Sequence, residues 1–248
     1  MMTTKNLSKT MLAALLTAGM TTAATADSVT AEFDGFALGG LGFTYSLDGS
    51  SPINTSAGMF RWTDTQTNET YETFCIELKQ YLRYDAITYD LVDASTAPYP
   101  GRDVNSDGIP DNNDSGENGA MGVDRALLLN NLFYLYRDSV VDTTTSAAFQ
   151  LAVWEVVFDE GVSLSDDSFQ IAARSQTNTQ QNNAVSLAQE WLNSLNVEGG
   201  QANIVAWSNK RWQDQVTTTV VPTPTAIGGS LAMLALLGAG ARRRRQSA

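Results

Sequence analysis

Histidine is absent from these 248 residues, and cysteine occurs once, at Cys75. The first absence removes imidazole general-base catalysis, Ser-His-Asp triads and histidine-ligated metals. The second removes internal disulfides and any zinc site built from several thiolates. No glycine-rich phosphate loop is present. Cations are also scarce: between the two ends, over Asp27–Val221, 27 acidic residues stand against nine basic ones, a net of −18. That balance disfavours nucleic acid and anionic membrane surfaces as partners, and favours solubility or cation binding. The acid pairs Asp159–Glu160 and Asp166–Asp167 are neighbours in sequence and so do not face one another across a cleft. No pair of glycosidase carboxylates stands out.

The ends carry targeting chemistry. Lys5 and Lys9 precede a short apolar core, Met11–Met20, and Ala24-Thr25-Ala26 offers a small-residue cleavage site. Residues 1–26 therefore read as an export signal, too short to anchor in a bilayer, with cleavage before Asp27. At the other end, residues 220–248 hold the box Val221-Pro222-Thr223-Pro224, the apolar run Ala226–Ala241 and the block Arg242–Arg245. The apolar run has 16 residues, fewer than the roughly 20 of a comfortable membrane helix. The arginines hold its far end on the cytoplasmic side. A plain C-terminal anchor is the simple reading. The tail also resembles the PEP-CTERM sorting signal of Gram-negative bacteria, with Thr223 where that signal usually has Glu; a related tail led by glycines (here Gly228, Gly229) is the rival. Either resemblance implies transient inner-membrane insertion, removal by an exosortase-like protease, and release or attachment at the cell surface or in the extracellular matrix.

Between the ends, roughly 195 residues suit one domain with a core of its own, 27–219. Ser28–Gly49, Ala57–Trp62, Tyr71–Leu78 and Ala86–Ala94 alternate as strands, with a polar hairpin loop at Thr63–Thr70. A loop rich in Asp, Asn and Gly (100–119) follows. Gly122–Val140, Ser146–Glu160 and Asn182–Asn196 read as helices, and Ala202–Val221 returns to strand-like alternation. Strands, then clustered helices, then strand predict an α+β fold: an antiparallel sandwich or barrel with about three helices.

The lone cysteine and one glutamine raise the chemical question. In Thr73–Lys79, alternation puts Phe74, Ile76 and Leu78 on one face and Cys75, Glu77 and Lys79 on the other, away from the obvious core. An unpaired cysteine in an exported chain is an intermolecular bridge, a free thiol or something else. In the second helical run, Ala147, Leu151, Trp154 and Phe158 form an apolar stripe with Gln150 on its flank. A buried amide must be hydrogen-bonded, so Gln150 bonds backbone or solvent, or it serves chemistry.

Phe74-Cys75-Ile76-Glu77, followed by Phe149-Gln150-Leu151-Ala152-Val153-Trp154-Glu155, resembles the thioester domains of bacterial surface adhesins. Those join an aromatic-Cys-Ile segment to a Thr-Gln-x-Ala-Ile-Trp motif; Phe149 replaces the Thr here. The resemblance implies an internal thioester between Cys75 and Gln150, formed with loss of ammonia, with Trp154 and Phe149 shielding it. An incoming amine on a surface or matrix partner would be captured as an amide, once per molecule, with Cys75 as leaving group. Glu77 and Lys79, on the same face, would tune the thiol.

Asp103–Asp114 follows the oxygen-ligand spacing of a calcium loop. Asp103, Asn105, Asp107, Ile109 (through its carbonyl), Asp111 and Asp114 fill positions 1, 3, 5, 7, 9 and 12, and Gly108 the sharp turn. The segment resembles the Asp-x-Asn-x-Asp-Gly calcium repeats of extracellular bacterial proteins. A structural calcium ion ordering this insertion is the expectation; a plain acidic turn is the alternative. The sequence thus predicts a non-enzymatic exported adhesion protein with no nucleic-acid partner. A non-covalent matrix protein without a thioester comes second, and a polysaccharide-active enzyme last.

Overall fold

The structure, a computed structural model, describes residues 28–98, 120–159, 161–166, 168–197 and 202–218. The export signal, the acidic loop 103–114 and the Val-Pro-Thr-Pro tail lie outside the described residues.

The fold is α+β. Six antiparallel strands close into a barrel in the order β1 (Ser28–Phe36), β4 (Phe60–Asp64), β5 (Thr70–Cys75), β9 (Gln215–Thr218), β8 (Ile204–Ser208), β6 (Ile87–Val92). A separate three-stranded sheet has the order β3 (Ile53–Ala57), β2 (Leu41–Leu47), β7 (Phe169–Ala173). Along β1, Val29, Ala31 and Phe33 are buried in alternation, as a strand with one face in a core requires. The β1–β4 register slips between Phe33 and Gly35, and Gly35 sits at φ +111°, a conformation glycine adopts without penalty. Within the barrel, Trp62 meets Tyr89 edge-on at 5.6 Å and Trp207 at 6.3 Å.

Three helices pack on this frame: α1 (Gly122–Tyr136), α2 (Thr143–Phe158) and α3 (Thr179–Leu192). The predicted helical runs overlap all three; α3 begins three residues earlier than expected, at Thr179, and so does α2, at Thr143. Asp142 explains that start. Its side chain accepts from the Thr145 N–H while the Thr145 hydroxyl bonds the Asp142 backbone, a reciprocal cap. α2 lies between α1 and α3 and also touches β5 and the small sheet. Every residue from Ser146 to Phe158 is buried, so the expectation of an apolar stripe with Gln150 on its flank is corrected: the helix is covered on all sides, Gln150 included, and lies in the middle of the core. The chain leaves for the acidic insertion and returns at one place, where the Met121 N–H donates to the Ala97 carbonyl at 2.8 Å.

Candidate functional site

The site begins where two strands part. β4 begins at Phe60, opposite Thr73, and Met59 before it no longer pairs with β5. β5 keeps its other neighbour, with Cys75 opposite Gln215 of β9. The backbone groups exposed on the parting edges are buried and must find partners. α2 supplies them from two positions one helical turn apart. Ser146 Oγ accepts from the Met59 N–H at 2.7 Å on the β4 side. On the β5 side, the Cys75 N–H donates to Gln150 Oε1 at 2.9 Å and Gln150 Nε2 donates to the Cys75 carbonyl at 2.8 Å. The Gln150 carboxamide therefore acts as the peptide unit of a missing strand. Gln150 and Cys75, 75 residues apart in sequence, meet in a place closed to water, at 1% and 0% exposure.

The predicted solvent-facing position of Cys75 is corrected. Alternation does turn it away from Phe74, but both faces are covered. Phe74 points to the helices, with its ring 4.5 Å from Phe149 and 5.9 Å from Phe133. Cys75 shares the face of Thr73, whose hydroxyl accepts from the Trp62 indole inside the barrel at 2.9 Å. Glu77, expected on a solvated face, is buried as well, while Lys79 is exposed.

The thiol is held by the turn that follows it. Cys75 Sγ–H donates to the Glu77 carbonyl at 2.7 Å, and the Glu77 N–H points back at the sulfur at 3.3 Å. Burial pushes the Cys75 thiol far above its ordinary range; the contact with the Glu77 backbone and the Trp154 indole draw it partly back, and the carboxyls of Glu77 and Asp214 push it further up. These influences favour the neutral thiol, and Glu77, one of the two residues expected to tune it, acts against the thiolate. The Glu77 carboxyl is itself pushed up to about 7 by burial, against the pull of the Lys79 N–H, which donates to Glu77 Oε1 at 2.6 Å.

Both expected shielding residues stand in the core beside the pair. Phe149 packs on Phe74, on Phe133 at 4.9 Å and on Trp191 at 6.1 Å. Trp154, 2% exposed, lies one turn beyond Gln150; its indole N–H makes no hydrogen bond of ordinary geometry yet sits close enough to favour a charge on the Cys75 sulfur.

A polar chain that sequence reasoning missed runs into the site from the barrel. Thr73 Oγ1 donates to Gln215 Oε1 at 3.0 Å, Gln215 Nε2 to the Gln213 carbonyl at 3.0 Å, and Gln213 Nε2 to the Glu77 carbonyl at 3.0 Å. Its only trace in the sequence is the cluster of amides around Asp214. The six expected calcium ligands (Asp103, Asn105, Asp107, Ile109, Asp111, Asp114) and the sorting box Val221–Pro224 lie outside the described residues. Among the described residues no cluster of three or more acids and cysteines is placed to hold a metal. Nor, among them, is any helix long and apolar enough to cross a membrane.

Chemically, the site seats the Gln150 amide against the backbone of the thiol-bearing residue where water is excluded, the setting in which an acyl–sulfur bond would survive hydrolysis. No protein-family model matches this chain, and no curated protein matches it.

Proposed function

We propose that this chain is an exported adhesion protein of the cell surface or extracellular matrix whose Cys75 and Gln150 condense into an internal thioester. The meeting of a buried thiol-bearing residue with a buried glutamine side chain carries the reading. In formation, the Cys75 sulfur attacks the Gln150 side-chain carbonyl carbon; the carbon–nitrogen bond breaks, and the amide nitrogen leaves as ammonia with the thiol proton. In capture, a partner's amine attacks the same carbon and the carbon–sulfur bond breaks. The sulfur leaves as the neutral thiol, taking the proton released by the amine, as its burial requires. The product is a stable amide and a free Cys75, so capture occurs once and is not turnover.

In this reading the α+β body, with its closed antiparallel barrel, is the scaffold that holds the pair. The C-terminal segment inserts transiently in the inner membrane of a Gram-negative cell until an exosortase-like protease removes it. The loop 103–114 binds calcium as a structural ion, and EDTA should speed its cleavage by protease while added calcium slows it.

One observation favours a second reading, a matrix protein with no thioester: the Gln150 amide already satisfies both backbone groups of Cys75. Intact mass of the purified exported protein, beside Cys75→Ala and Gln150→Ala variants, decides. A deficit of one ammonia in the wild type alone, erased by methylamine, supports the thioester. A full calculated mass overturns it and leaves Gln150 as a structural clamp.

A further inference from the structure

The loops that follow β5 and β8 meet at the barrel end that carries Cys75. Eight lysines and arginines fall among the described residues, and four of them (Lys79, Arg83, Lys210 and Arg211) lie on these two loops, all exposed. The single exposed acid on the same loops, Asp85, is paired with Arg83 at 2.6 Å. In a chain with a net of −18 between its ends, this is a local reversal of sign. Rings stand among the cations. Tyr81 and Tyr84 are 67% and 70% exposed, and Trp212 is half-buried between them and the arginines.

The two loops form one surface. Tyr81 bridges Trp212 through the backbone, and the Gln213 N–H donates to the Tyr81 carbonyl at 3.2 Å. The Arg83 guanidinium lies 4.9 Å from the Trp212 ring centre and that of Arg211 5.9 Å, while Tyr84 leans on Phe33 at 5.6 Å. Stacking on Trp212 holds the two guanidiniums in place, so little side-chain freedom remains to be lost on binding.

We propose that this patch binds an acidic polysaccharide. The clustered positive charge attracts sugar carboxylates, and exposed tyrosine faces take the apolar C–H faces of sugar rings. The closed barrel leaves no strand edge here for a peptide to extend. Nucleic acid, with one charge per roughly 1.7 Å, would be repelled by the acidic body around the patch. A polymer with at most one charge per sugar meets far less repulsion and is still drawn by the local positive charge.

The inference is independent of the thioester, since every residue it uses lies outside the Cys75–Gln150 pair. The test is calorimetric titration of the purified chain with oligogalacturonate, and with poly-L-glutamate, single-stranded DNA and neutral dextran in parallel. Saturable binding of oligogalacturonate alone is expected. It should weaken about tenfold in the Tyr81→Ala/Tyr84→Ala double variant and likewise in Arg83→Gln/Arg211→Gln, and persist in Cys75→Ala. The idea is overturned by absent binding, by an unaffected tyrosine variant, or by equal binding of poly-L-glutamate, which would mark the patch as a site for acidic protein segments. These are surface positions, so far-ultraviolet circular dichroism matching the wild type confirms that a loss is local.

Discussion

Replacing Gln150 by Ala tests whether a single side chain stands in for a strand. The substitution strips partners from two buried backbone groups, the N–H and carbonyl of Cys75, which the carboxamide meets at 2.9 and 2.8 Å. Each orphaned group costs about 1–3 kcal/mol, because no water replaces the lost partner in a fully buried site. Removing the amide also leaves a void between α2 and β5, which adds to the cost when the surroundings relax only in part. The expected loss is about 3–6 kcal/mol, a large share of the stability of a domain this size. Urea unfolding followed by tryptophan fluorescence reads it, and amide exchange at Cys75 localises it. Gln150→Glu refines the test. Its protonated acid can accept from the Cys75 N–H and donate to the carbonyl, whereas its carboxylate can only accept. Burial raises the acid's folded pKa above its unfolded value, so this variant should approach wild-type stability at low pH and lose it as pH rises through the folded pKa. A Gln150→Ala loss below about 1 kcal/mol, with Cys75 exchange unchanged, would refute the strand-substitute argument.

Three further outcomes follow from the same geometry. Glu77 has its carboxyl pushed from 4.5 to about 7 by burial, so wild-type stability should fall as pH rises across that window, by about 3 kcal/mol in all, and Glu77→Gln should flatten the slope in urea midpoints measured at successive pH values. Ser146→Ala orphans the buried Met59 N–H and should cost about 1–3 kcal/mol by the same unfolding assay, without altering any ammonia deficit. After methylamine treatment, which leaves Cys75 free with or without a thioester, its buried, neutral thiol should resist iodoacetamide at pH 8 in the folded protein and react at once in urea; fast native alkylation would contradict its burial.

The parts of this molecule legible in its sequence are those decided over a few residues. α2 is readable because its apolar residues run too long for a strand, and Gln150 stands out because an amide there demands a partner. The lone cysteine is conspicuous for want of another. What escapes is set by distant pairing. The burial of Cys75 depends on β9 lying against β5, some 140 residues on, and on a barrel that closes so that neither strand face meets water. Period-two alternation separates Phe74 from Cys75 correctly but cannot tell a lumen from solvent. The strands β3 and β7 are missed because they are short and carry little apolar patterning: Ile53 and its neighbours are largely exposed, and only Phe169 and Ile171 of β7 face inward. The chain of amides through Gln213 and Gln215 exists only once the register of β9 is fixed.

The clasp between Ala97 and Met121 bears on how this chain can change over generations. Because the departing and returning backbones are tied to each other, the body itself fixes where the two ends meet. The clasp follows β6, at the end of that strand remote from Cys75, so the segment it closes is a cassette. Doubling its length would cost only about 0.6 kcal/mol of closure entropy. Insertion, deletion or wholesale exchange of that cassette is therefore open to natural variation and to engineering alike, while the α2–β5 junction at the opposite pole is left untouched.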